Sequence, residues 1–171
     1  MITITPLTSI HAVEMAASVT SGKDVTITPE KWVDWLHSEH SPIRAYIVAI
    51  TMTDIPYYCS VHFARHKIGV EHYVKSQRVY ESRAEMPQGA LVTHMMIANA
   101  QAVLNISRKR LCRKADKTTS YIWHDVRYAF LGHEDCYVKE IGKEMQAECE
   151  YRGGICHEMK SCGYCKKWSE Q

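Results

Sequence analysis

RHKIGVEHYVKSQR, residues 65–78, gathers Arg65, Lys67, Lys75 and Arg78, two histidines (His66 and His72) and Ser76 into a stretch with little apolar content. A solvated surface helix explains such a stretch by itself, because arginine is usually exposed and a single histidine such as His66 is more often structural than functional. The rest of the chain decides whether these groups are aimed at something. At 171 residues and 46% hydrophobic, there is material for one domain with a real core and too little for two. Net charge is only +2, so an anion site has to come from local clustering rather than from the field of the whole molecule.

On the N-terminal side, ITIT at positions 2–5 alternates as a short strand, and residues 8–20 are compatible with a helix. Thr28 and Pro29 read as the cap and first residue of a helix through Trp32, Trp35 and Leu36. His40-Ser41-Pro42 ends it, because a residue before proline is pushed out of the helical region. Residues 43–53 are rich in β-branched side chains and read as a strand, and Asp54-Ile55-Pro56 as a turn into a helix over 57–67. Beyond the basic stretch a polar link leads to Pro87, which opens a helical pattern to about Lys114. Thr118 or Thr119 caps a last helical region, interrupted near Gly132 and fading near Met145. The tail, with Gly153-Gly154 and Gly163, is irregular. The expectation is an α+β fold, a small, mainly antiparallel sheet packed with long helices, over residues 1–148, followed by a Cys-rich tail over 149–171.

Three spaced patterns stand out. HSPIR places Ser41 in the turn between helix and strand. RHK-x8-SQR runs from Arg65 to Arg78. R-x3-P-x11-N-x5-N-x4-R picks out Arg83, Pro87, Asn99, Asn105 and Arg110. Asparagine is at best neutral inside a helix, so Asn99 and Asn105 each need a reason. On a continuous helix Asn99 and Arg110, eleven positions apart, are separated by about 1100° and so fall within about 20° of one face. Asn105 lies on another, as expected if ligand or neighbouring subunits wrap the helix on more than one side.

Taken together the three patterns resemble the flavin-dependent thymidylate synthases. That family carries RHR followed at a fixed interval by S-x-R-Y, an H-x-[ST]-P turn and a strand upstream, and an R-x3-P segment and an asparagine- and arginine-bearing helix downstream. The likeness covers roughly residues 28–115. By matching position it implies that Ser41, Arg65, His66, Asn99 and Asn105 contact FAD. It implies that His62, Lys67, Ser76, Arg78, Arg83 and Arg110 contact dUMP, with Arg110 as the catalytic residue that holds and polarises the uracil. Arg78 and the backbone near Ser76 would hold the phosphate, for which arginine offers a rigid fork of donors. The implied reaction is reductive methylation of dUMP to dTMP with methylenetetrahydrofolate and NADPH, and the implied assembly is a homotetramer with shared sites. The cofactor would carry the redox step and the protein would position the reactants.

The chain departs from the family pattern at identifiable places. Lys67 replaces the second arginine of the signature and keeps the charge without the fork. The interval to Ser76 is one residue longer than usual, and Val79 displaces the tyrosine to Tyr80. Gln101 stands where another flavin-binding arginine is usual, and Arg44 where a glutamate is common. Arg78 and Arg83 are nearly adjacent, where several dozen helical residues usually intervene. Such a trimmed core is the form expected of a phage-encoded or mobile-element homologue.

Other features weigh less. RKRLCRK, residues 108–114, resembles a nucleic-acid patch, but the small net charge argues against that partner. Ten histidines are scattered without an H-E-x-x-H pair. Seven cysteines, an odd number, suit thiols in a reducing compartment. The tail reads C-x6-C-x5-C-x2-C with His157 beside it, and C-x2-C is a usual zinc half-site. Cys149 and Cys156 lack that spacing, so reduced thiols are the expectation and no metal ligand is assigned. The N-terminus lacks a basic start and a long apolar run, and no stretch suffices to span a bilayer, so a cytoplasmic protein is expected. Two alternatives stay open: a homologue binding flavin and a pyrimidine nucleotide with different C5 chemistry, and a non-enzymatic nucleotide- or nucleic-acid-binding module on the same scaffold. A bound yellow chromophore separates the enzymatic readings from the last.

Overall fold

Four strands and seven helices make up the computed structural model, which describes residues 1–79 and 82–165, with the side chains of Val79 and Arg83 excepted. In chain order they are β1 (Ile2–Pro6), α1 (Ile10–Ser21), α2 (Pro29–His37), a 3-10 turn (Ser41–Ala45), β2 (Ile47–Pro56), α3 (Tyr57–Phe63) and β3 (Val70–Val74). Two more 3-10 turns (Gln77–Val79 and Arg83–Glu85) precede β4 (Leu91–Asn99), α4 (Ala100–Arg110), α5 (Lys117–Leu131), α6 (Cys136–Glu144) and α7 (Glu148–Tyr151). The sheet runs β1-β2-β4-β3 and every pairing is antiparallel, so the α+β architecture expected from the sequence is present.

Along β4, Val92, His94, Met96 and Ala98 are buried in strict alternation, and along β2 Val48, Ile50 and Met52 share that face. Trp32, Phe63, Trp123 and Phe130 fill the core beside it. The two buried indoles are satisfied: Trp32 donates to the Tyr137 carbonyl at 3.0 Å and Trp123 to the Ser107 hydroxyl at 2.9 Å. Where α5 meets α6, a Cβ on Gly142 would stand 2.8 Å from that of Phe130, so only glycine admits this approach.

Six expectations need correction. The helix drawn from Pro87 to Lys114 is a strand followed by a helix: β4 pairs on both edges with β2 and β3, and α4 starts only at Ala100. Met and Leu suit helices, but central pairing overrides that preference. Asn99 therefore lies outside the helix as its N-cap, and the shared face with Arg110 does not exist. The basic stretch itself contains edge strand β3, whose exposed Glu71 and Tyr73 suit an edge. The 57–67 helix stops at Phe63, which puts Arg65, His66 and Lys67 on a loop. The turn at 54–56 is an irregularity within β2, where Asp54 takes φ 57° and the register with β4 shifts between Met52 and Ile55. The first residues of the strand expected over 43–53 belong to the 3-10 turn, and the cap of α5 is Asp116 rather than a threonine.

Candidate functional site

The basic loop is held from two sides, and hydrogen-bond logic assigns its protons. His72 on β3 lies 2.6 Å through Nε2 from the backbone oxygen of His66 and 3.0 Å through Nδ1 from Nε2 of His94 on β4. A carbonyl oxygen only accepts, so His72 donates from Nε2. With both rings uncharged, His72 Nδ1 accepts from the His94 Nε2–H. His94 is left with a bare Nδ1, a buried atom without a partner among the described residues. Burial, with His72 adding to it, pushes the pKa of His94 down to about 4.

From the other side comes Arg110, at the end of α4. Its Nε donates to His66 Nε2 at 2.9 Å, and an Nη donates to the His62 carbonyl. Arginine only donates, so His66 is neutral with its proton on Nδ1. Burial first, then the Arg110 charge, lowers its pKa to about 4. Arg110 is itself half-buried; burial, and next the Arg65 guanidinium, disfavour its charged form. Two cations therefore repel each other here, with the Asp116 carboxylate acting on Arg110 in the opposite sense.

His62 on α3 has an assignable tautomer too. Asp116, capping α5, accepts from the Thr119 N–H at 2.9 Å and from its hydroxyl at 2.8 Å, and these bonds hold its carboxyl below the usual range. With its proton committed, the Thr119 hydroxyl accepts from His62 Nδ1 at 2.8 Å. In the uncharged ring His62 Nε2 is then an acceptor without a hydrogen-bond partner among the described residues. His62 and Arg65 line a hollow of about 250 Å³ together with Tyr57, Tyr58 and Gln88.

A second cleft, of about 410 Å³, opens at the start of α4 between Glu39, Arg44, Gly69, Asn99, Gln101 and Asn105. The Asn99 side chain caps α4 by accepting from the Ala102 N–H at 2.9 Å, and the Asn99 backbone N–H donates to the Gly69 carbonyl at 3.0 Å. Gly69 has φ 72°, and a Cβ there would lie 2.7 Å from the Asn99 amide nitrogen. Gln101, Asn105 and Arg108 share one face of α4 at spacings of four and three. Asn105 Oδ1 accepts from Arg108 at 3.1 Å, Gln101 donates to Glu39 at 2.6 Å, and Arg108 pairs with Glu39. Glu39 occupies the left-handed position, φ 53°, that glycine usually fills after a helix. His40 N–H returns to the Trp35 carbonyl at 2.9 Å and Glu39 N–H to that of Leu36 at 3.2 Å, closing α2. The strained backbone is what aims its carboxylate at α4.

Of the residues singled out in the sequence, the fold brings His62, Arg65, His66 and Arg110 to one place, and Asn99 and Asn105 to the cleft. Ser41 is exposed at the head of its 3-10 turn, and Lys67 is exposed on the loop. Ser76 accepts from the Arg78 N–H at 3.2 Å, both exposed in the connection after β3. Arg83 opens the turn before Pro87, and its side chain lies outside the described residues. Tyr80 also lies outside them. Sequence reasoning missed Glu39, Arg108, His72, His94, Asp116 and Thr119. No local sequence signal joins His72 to His94, because cross-strand pairing of β3 with β4 sets their contact.

No known family model matches the chain, and no curated protein matches it in sequence. Solved structures do match its fold. The UMP/dUMP methylase PolB from Streptomyces cacaoi bound with 5-Br dUMP has a TM-score of 0.63 at 12% identity, over 86% of this chain and 97% of that one. The same protein bound with 5-Br UMP gives 0.61 at 13% identity, over 86% and 96%. Thymidylate Synthase X from Helicobacter pylori with FAD and dUMP gives 0.58 at 13% identity, over 80% of this chain and 99% of that one. The chain therefore has the flavin-dependent thymidylate synthase-like fold. Among the described residues, no helix is long and apolar enough to cross a membrane.

Proposed function

We propose that this chain is a flavin-dependent thymidylate synthase that methylates dUMP to dTMP, with methylenetetrahydrofolate as carbon donor and NADPH as reductant. The observation that carries this is Arg110: a half-buried cation, fixed by the His66 ring and the His62 carbonyl, beside a second guanidinium. An exposed guanidinium, Arg65, beside the half-buried Arg110 leaves an excess of positive charge that favours an anion, even with Asp116 nearby. Arg110, a donor, and His62, with an acceptor at Nε2, suit the alternating carbonyl and N–H edge of a uracil. Lys67, Arg78 and Arg83 supply positive charge for its phosphate, and Tyr57 and Tyr58 supply aromatic surface for its ring. The fold likeness to proteins crystallised with dUMP, 5-Br dUMP and 5-Br UMP supports a pyrimidine nucleotide as the ligand class.

The cleft at the start of α4 suits a flavin dinucleotide. Arg44 is exposed there without an acidic partner among the described residues, as a phosphate ligand should be. The missing side chain of Gly69 leaves backbone open to close approach, and the amide groups of Asn99 and Asn105 offer polar contacts. When bound, FAD supplies the reducing equivalents that complete methyl transfer. Ser41, Arg65, His66, Asn99 and Asn105 would hold it, while Arg110 keeps the uracil polarised. Residues presented on several sides of α4 are consistent with a homotetramer whose sites are completed by neighbouring subunits.

The deciding assay mixes protein, fully reduced FAD, methylenetetrahydrofolate and dUMP, with UMP in parallel, and follows dTMP by chromatography; calorimetry and flavin absorbance read binding separately. dTMP that forms with the native chain and disappears in Arg110→Ala supports the synthase. Tight dUMP binding without dTMP favours different C5 chemistry. A protein that takes up neither FAD nor any pyrimidine nucleotide leaves a non-enzymatic module.

A further inference from the structure

The Cys-rich tail returns to the body of the fold. Cys149, Cys156, Cys162 and Cys165 all line one hollow of about 330 Å³ between the tail, the α4–α5 connection and α5, with Cys112 in its wall. Cys149 and Cys165 stand side by side. Gly163, at φ 76°, makes the tight turn between Cys162 and Cys165. No residue from 148 to 165 is buried, so the segment holds its path without a hydrophobic core of its own. Its side-chain attachments to the body are polar: the Arg113 guanidinium over the Tyr164 ring at 4.0 Å, the Lys114 ammonium on the Lys160 carbonyl at 3.2 Å, Arg108 over Tyr151 at 3.5 Å and the Lys109–Glu148 ion pair at 3.5 Å. A short segment without an apolar core can be held by a covalent or metal staple.

We propose that Cys149, Cys156, Cys162 and Cys165 bind one structural zinc ion, which fastens the tail against the end of α4. Four sulfurs with one C-x2-C pair are the donor set that tetrahedral zinc prefers, and soft thiolates select it over harder divalent ions. Among the described residues no three such groups are already placed to hold an ion. Metal binding therefore draws Cys156 and Cys162 toward the Cys149–Cys165 pair, and ordering of the tail and binding are one event. The basic residues on the hollow, Arg113 and Lys114 among them, offset the negative charge of a four-thiolate site.

Protein purified without chelator should carry about one zinc per chain by elemental analysis. Cobalt(II) added to the stripped chain should give the thiolate charge-transfer band and strong visible bands of tetrahedral sulfur coordination. Chelation should make the tail more sensitive to protease while leaving the circular dichroism of the helical body in place. Cys162→Ser/Cys165→Ser should lose both zinc and the cobalt spectrum, and Cys112→Ser should keep them. Four free tail thiols with no zinc and no cobalt spectrum would overturn the proposal. So would a Cys149–Cys165 disulfide in protein purified under reducing conditions, a brown iron–sulfur chromophore, or loss of zinc in Cys112→Ser alone.

Discussion

Arg110 depends on its neighbours more than on its own charge. Its Nε and Nη are both committed to the α3 side, so the guanidinium plane is set before any ligand arrives. Arg110→Ala should weaken dUMP binding by about 1.5–3 kcal/mol, the usual loss for a charged hydrogen bond, with a much smaller effect on FAD. Arg110→Lys should recover only part, because an ammonium cannot reproduce the two-pronged hold. Calorimetry decides, and an unchanged Kd in Arg110→Ala counts against the nucleotide assignment. The histidines make a separate prediction. His66 and His94 stay neutral in the folded protein down to about pH 4, while unfolded histidines protonate near 6.5. Between those values the unfolded chain binds more protons, so stability is lost as pH falls through the window and regained as it rises. Thermal melts from pH 7 to 4 should show that fall. His94→Leu should melt lower at pH 7 yet lose less on acidification; an identical slope would remove His94 from the account. These residues were only half legible in the sequence. The spacing of Arg65, His66 and Arg110 pointed to a shared site, but nothing linear ties His72 or His94 to the loop, because cross-strand and loop contacts are absent from local order.

At the scale of elements, the junction of β4 and α4 determines the cleft. Asn99 ends the strand, caps the helix and packs against Gly69 at once. Asn99→Ala should cost about 1 kcal/mol through the lost cap and lower the melting temperature accordingly. Gly69→Ala should be worse, because it adds a side chain at a left-handed φ and drives its Cβ into the Asn99 amide. If Gly69→Ala melts like the native chain, the close approach is not what holds the loop. Asparagine indifferent to helices was the right signal read in the wrong element: its preference is for caps. The boundary itself was not legible, since MMIANAQAVL serves either period and only pairing on both edges makes β4 a strand. Glu39 is the converse case, a carboxylate in a position where sequence reasoning looks for glycine, justified only by Gln101 and Arg108 across the cleft.

For the whole molecule, the expected assembly is a tetramer, to be measured by light scattering with and without FAD; a strict monomer that never takes up flavin would sink the shared-site reading. The sheet leaves Thr51, Met95, Ile97 and Tyr73 on a face that is not fully buried, and Tyr121 and Tyr128 are exposed on α5, apolar surface that an assembly would cover. The fold likeness spans most of this chain although Arg78 and Arg83 are nearly adjacent, so a compact core retains the architecture. Sequence alone determined the α+β class, the caps at Thr28 and the turn at Pro42, and the set of polar residues worth following, because periodicity, capping and proline act over a few neighbouring positions. Tertiary structure alone decided that β3 and β4 are strands, that Glu39 turns onto α4, and that His94, His72, His66, Arg110 and His62 form one connected chain, because sheet pairing and buried hydrogen bonds join residues far apart in sequence.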